Sequence, residues 1–198
     1  MLNSAQLDQL EWIAAGFGAV NIVLLIFRSV WNYAFGMVMV SLYLLIFWDR
    51  RLYAEAVLQI LFFAAQGYGW WLWSRLDAAG NRVPVRWLRQ RSRVVWLLAM
   101  AALSVTVGWA LAHFTDAAAP FVDGPIAVFS VGAQVLLAYR RIENWVLWIA
   151  IDLVSVLLYL NRGLEPTAGL YCGFLIMSVI GLREWRASLN ADPAHLPA

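Results

Sequence analysis

Displaced by 112 residues, this sequence falls on itself. Trp12–Ser74 lies over Gly124–Arg186 without a gap, and fifteen positions are identical. Leu and Val coincide cheaply in apolar segments. Arg28/Arg140, Asn32/Asn144, Arg50/Arg162, Gly69/Gly181 and Trp73/Trp185 do not, and all keep one frame. Each copy holds three apolar segments, and one more segment lies between the copies. An odd connecting helix makes both copies point the same way across a bilayer. Parallel repeats about an axis along the membrane normal are one of two plans used by secondary transporters, which bind cargo near the midplane between their halves.

The bilayer itself follows from composition. The chain has 198 residues, 63% hydrophobic and only 13% charged, with mean hydropathy +0.71. Those values lie far outside the soluble average. The expected fold is an all-α membrane protein of seven transmembrane helices in a 3+1+3 arrangement. The segments read as Trp12–Phe27, Trp31–Trp48, Tyr53–Trp73, Val94–Phe114, Ile126–Tyr139, Asn144–Leu160 and Thr167–Trp185. Ser74–Arg93 reads as a polar loop, and Asp116 to Pro125 as a short linker carrying Pro120 and Asp123. The expected division is 1–93 for the first repeat with its cytoplasmic loop, 94–120 for the linking helix, 121–187 for the second repeat and 188–198 for a disordered tail. The first ten residues lack a basic n-region, so no cleavable signal peptide is expected.

All fourteen basic side chains are Arg. Arg50, Arg51 and Arg162 fall at one set of segment ends, and the other eleven fall at the alternate set. The positive-inside rule then places the N-terminus outside and the C-terminus in the cytoplasm. A net charge of +2 is too small to argue for nucleic acid.

Within this greasy chain one acid is buried in a segment. Asp152 lies about 13 Å along the helix axis from Glu143, near the middle of a ~30 Å hydrocarbon layer. An ionisable group at that depth marks function unless a neighbouring helix holds it for structure. Its repeat counterpart is Val40, so the scaffold common to both copies does not need the charge. Trp145, Trp148, Asp152 and Tyr159 share one helical face. Two indoles beside a carboxylate suit a flat organic cation. The rival account makes Trp145 an interfacial anchor. Gln59 and Gln66 form a stripe with Trp70 and Trp73, suited to a cargo's hydroxyl or amide groups or to interhelical bonds. Gln134 is of the same kind. Asn32 and Asn144 read as helix caps. Gly169 and Gly173 form a G-x-x-x-G suited to close helix packing, and Cys172 reads as a small core residue.

Other classes are excluded by what is missing. There is no G-x-x-x-x-G-K-[ST] loop for ATP. One cysteine and two separated histidines offer no metal cluster, and no Ser-His-Asp or H-E-x-x-H pattern appears. Neither enzyme chemistry, a metal nor a cofactor is therefore expected.

Glu143-Asn144-Trp145-Val-Leu-Trp148-Ile-Ala-Ile-Asp152 resembles the W-x-x-W-x-x-x-[N/D] substrate motif of the PnuC family of bacterial vitamin transporters. Leu52-Tyr53-Ala54-Glu55-Ala-Val-Leu-Gln59 and Gly67-Tyr68-Gly69-Trp70-Trp71-Leu-Trp73 are similar to its third-helix pattern. The resemblance covers most of the chain. It implies a 3+1+3 fold, homotrimers in the inner membrane, and facilitated uptake of nicotinamide riboside trapped by cytoplasmic phosphorylation. By motif position, Trp145, Trp148 and Asp152 become substrate contacts. The alternatives are thiamine or another cationic-ring vitamin on the same fold, and a non-transporting receptor or scaffold.

Overall fold

The computed structural model describes residues 4–49, 53–78, 85–115, 119–161 and 165–190. Seven helices account for nearly all of them: α1 (Ser4–Ile26), α2 (Asn32–Asp49), α3 (Tyr53–Ala78), α4 (Gln90–Phe114), α5 (Pro120–Ala138), α6 (Glu143–Asn161) and α7 (Glu165–Asn190). Helices are what a bilayer demands of such apolar runs, because every backbone N–H and C=O must be satisfied inside its own segment. By length and composition, four helices of the described residues qualify as spans: Ala5–Ile26, Asn32–Asp49, Gln90–Phe114 and Pro120–Ala138.

Several helices outrun their apolar cores. α1 begins eight residues before Trp12, because Ala5, Gln6, Leu7, Gln9, Leu10 and Glu11 favour helix even though the start is polar. α3 and α7 continue past Trp73 and Trp185 for the same reason. The expected linker before Ile126 is instead the start of α5. Pro120 stands in its first turn, where a missing N–H matters least, and Pro125 lies inside the helix. Residues 191–198 fall outside the described set.

The chain divides into two compact units, Met1–Pro84 and Val85–Ala198. In the first, α2 packs on both α1 and α3. In the second, α5 packs on α4 and α6, and α6 packs on α7. Backbones close in where α4 meets α5: a Cβ on Gly124 would stand 2.8 Å from the Gly108 nitrogen. Burial is inverted relative to a water-soluble domain. Asn21, Gln66, Gln134, Asn144, Asp152 and Ser178 are buried, whereas Trp12, Phe27, Leu98, Val105 and Leu157 are exposed. That outer surface matches lipid, and Asn21, Asn144, Asp152 and Ser178 make hydrogen bonds inside. The protein is a multi-pass membrane protein.

The 112-residue repeat returns as local geometry. α1 and α5 end in the same way, on an arginine in the left-handed region: Arg28 at φ 58° and Arg140 at φ 49°. Around each, two backbone bonds close the helix. Arg28 donates to Leu25 O and Ser29 to Leu24 O, both at 2.9 Å. Arg140 donates to Leu137 O at 2.8 Å and Arg141 to Leu136 O at 2.9 Å. This is a Schellman closure with arginine where glycine is usual. Asn32 and Asn144 differ from expectation. Each amide donates backward, Asn32 to Ser29 O at 2.6 Å and Asn144 to Arg141 O at 2.5 Å. They lock the turn before the helix rather than accept from N–H groups of its first turn.

The turn is followed by a second matched feature. Tyr33 meets Trp73 edge-on at 5.1 Å, and Trp145 meets Trp185 edge-on at 5.6 Å, at 86° and 87°. Gly69 and Gly181 make room for the rings of Tyr33 and Trp145, and a Cβ on Gly181 would come within 2.5 Å of the Trp145 indole. These shared glycines and tryptophans thus hold α2 to α3 and α6 to α7.

A candidate cargo-binding face on α6

The shared turn and ring pair set where α6 starts and how it is rotated. Trp145 is spent on that task. Its ring is 1% exposed, enclosed against Gly181 and Trp185. Trp148, one turn on, is half-buried and lies against a cluster formed by Met100, Val128, Ala133, Leu136, Leu147 and Ile151. Its indole therefore has packing support on one side and remains partly open.

Asp152 follows one turn later and is 3% exposed. Ser178 on α7 donates a hydrogen bond to its Oδ2 at 3.0 Å. Among the described residues no ion pair joins this carboxylate. A buried acid with a hydroxyl for company is an incomplete site, because an isolated charge in a low-dielectric interior is strongly disfavoured. Ser155, one turn beyond Asp152, is also buried. The side chain of Tyr159 lies outside the described residues.

In the first unit, Gln66 on α3 is buried and its Oε1 has no hydrogen-bond partner among the described residues. Its amide nitrogen and that of Asn21 both crowd Gly36, where any side chain would collide with them. Asn21 is itself held by donating to Asn32 O at 2.6 Å. Gln59 is half-buried on the same helix as Gln66. The two units thus handle one repeat position differently: Gly36 leaves room for two amides, and its counterpart Trp148 supplies an indole.

Sequence reading missed Ser178. The signal was available, because Ser178 is the repeat counterpart of Gln66. Two packing expectations are overturned. Cys172 is exposed rather than in the core. Among the described residues no other helix lies within 4 Å of a Cβ built on Gly169 or Gly173, so that G-x-x-x-G makes no close helix contact there.

Comparison with known proteins gives a consistent result. The sequence model of a family described as "Nicotinamide mononucleotide transporter" matches residues 8–187. The nicotinamide riboside transporter PnuC of Escherichia coli K12 is 29% identical over 204 residues, covering 89% of this chain and 85% of that protein. The nicotinamide riboside transporter PnuC of Neisseria mucosa is 30% identical over 191 residues, covering 88% and 72%. The crystal structure of the vitamin B3 transporter PnuC superposes with a TM-score of 0.75 at 27% identity, covering 92% of this chain and 83% of that one.

Proposed function

Because the chain belongs to the nicotinamide mononucleotide transporter family, a family of transporters and not of enzymes, we propose that it carries nicotinamide riboside across the bacterial inner membrane by facilitated diffusion. The observation that carries this reading is the buried Asp152–Ser178 pair one turn from a half-open Trp148. The pyridinium ring of the riboside is flat and positively charged. An indole face attracts such a ring, and a carboxylate relieved of solvent balances its charge. The same carboxylate argues against the mononucleotide, whose phosphate would bring about two negative charges toward it.

In this scheme Trp148 stacks on the ring and Asp152 faces the charge or a ribose hydroxyl. Trp145, enclosed by α7, sets the rotation of α6. Gln59 and Gln66 offer amides suited to a cargo's polar groups, and Tyr159 extends the face of Trp148 and Asp152. The N-terminus lies outside and the C-terminus in the cytoplasm, a reading that the arginine distribution supports. The protein works as a homotrimer, and phosphorylation in the cytoplasm traps the cargo.

Uptake into liposomes tests the reading. Reconstituted protein should equilibrate labelled nicotinamide riboside with no ion gradient or nucleotide, and excess thiamine should not compete. Selective uptake of thiamine would reassign the cargo to another cationic-ring vitamin. A lack of uptake of either would favour a receptor or scaffold.

A further inference from the structure

α6 is anchored at its start by a segment that the transport scheme does not use. Residues 85–89 precede α4 and lie along the α5–α6 turn as an isolated parallel bridge between Arg86 and Arg141. The Arg86 N–H donates to Arg140 O at 3.3 Å, and the Ile142 N–H donates to Arg86 O at 3.2 Å. Val85 and Ile142 are buried beside this bridge. Glu143, the first residue of α6, closes the arrangement. Its Oε1 accepts from the Leu88 backbone N–H at 2.9 Å and from Arg93 Nε at 2.7 Å. Its side chain is only 13% exposed. The Arg93 guanidinium also lies 5.0 Å from the centroid of the Trp87 ring.

From these contacts we infer that Glu143 is a positioning residue for cargo binding, a latch that ties the start of α6 to the strand-like strap and to the first turn of α4. The inference rests on the cargo face proposed for α6. Three features support it. The bonds to Glu143 are charge-assisted and shielded, so they are stronger than ordinary surface pairs. They come from two directions, a backbone N–H and a guanidinium, which defines rotation as well as position. Trp148 and Asp152 lie on the same rigid helix, 5 and 9 residues along from Glu143. A small rotation at the helix start is carried to both, and sites loosened by an ångström lose affinity.

The latch is also specific to the unit that carries the acid. Its counterpart in the first unit is Trp31, which is 61% exposed and packs at 6.4 Å from Trp70. No carboxylate stands at that position. Asp152 and Glu143 are thus the two acids that distinguish α6 from α2 within the repeated frame, one facing cargo and one fixing the helix.

The test uses purified full-length protein in lipid nanodiscs, with Glu143→Ala, Glu143→Gln and Arg93→Ala beside the wild type. Amide hydrogen exchange is followed at Leu88 and across residues 143–148, and riboside affinity is measured per folded protein. Glu143→Ala should speed exchange in both places at least tenfold and leave α1–α3 unchanged. It should weaken riboside binding about five- to tenfold. Glu143→Gln keeps an acceptor for Leu88 and should fall between Ala and wild type, as should Arg93→Ala. If Glu143→Ala does not fold, those two variants carry the comparison. Unchanged exchange along α6 would overturn the latch, and so would wild-type affinity in a variant whose strap has loosened. A wild type that binds no riboside would remove the cargo reading alone, leaving the latch to be judged on exchange.

Discussion

Trp148→Ala should weaken nicotinamide riboside binding by roughly thirty- to a hundredfold while leaving the protein folded. A cation over a desolvated indole is worth about 2 kcal/mol, and the aromatic surface lost with it adds to that. Together these approach about 2–3 kcal/mol, and each ~1.4 kcal/mol is tenfold in affinity. The fold should survive because Trp148 is only half-buried and leans on a cluster that packs without it. Trp145 provides the contrast. Its ring is 1% exposed and fills the space above Gly181. Truncating it to Ala leaves a large cavity between α6 and α7, at about 3–5 kcal/mol, and should appear first as lost folded protein. Calorimetric binding beside thermal inactivation separates the two. Trp148→Phe keeps an aromatic face and should retain most of the affinity. Wild-type affinity in Trp148→Ala would end the stacking role.

That contrast shows where sequence reading succeeds and where it stops. The 112-residue repeat was visible in Arg28/Arg140, Asn32/Asn144, Gly69/Gly181 and Trp73/Trp185. Each of these pairs reappears as one geometry, the arginine-capped turn or the edge-on ring pair over a glycine. Such matches are readable because backbone geometry and close packing constrain residue type strongly. Rotation of a helix about its own axis is harder to read here. In water an apolar stripe points inward, but in a bilayer the outward face is apolar too. Cys172, Gly169 and Gly173 looked like packing residues for that reason, and they face outward. Polar residues are the better guide in lipid, and Asp152 was found that way. Ser178 was overlooked because a lone serine is unremarkable until the opposite helix places a carboxylate 3.0 Å from it. The packed state of Trp145 was hidden as well, since spacing along α6 gave it the same face as Trp148.

The second large effect concerns charge. Asp152→Asn should cut affinity for the cationic riboside at least tenfold and leave affinity for the reduced, uncharged dihydropyridine riboside within about threefold. The two cargoes have nearly the same shape. Their difference therefore isolates the charge on the ring, and Asn keeps the size and the Ser178 contact of the acid it replaces. If Asp152 serves only to hold α6 against α7, the two affinities should change together. Removing the polar group altogether sharpens the test. An acid buried beside a lone hydroxyl, without an ion pair among the described residues, weighs against the folded protein when no cargo is bound. An ionised group buried without a counter-charge carries a desolvation penalty that an apolar side chain of similar size does not. Asp152→Leu should therefore equal or exceed the wild type in resistance to thermal inactivation, and it should abolish riboside uptake. A structural carboxylate predicts the reverse on the first count, because its bond to Ser178 would then be a net-stabilising link between α6 and α7 and its loss would weaken the fold. A variant that is less stable yet still transports would make Asp152 a strut, and the cation would have to be balanced elsewhere. A variant that is more stable and inert would mean that this chain keeps an unfavourable charge in its core for the cargo that neutralises it.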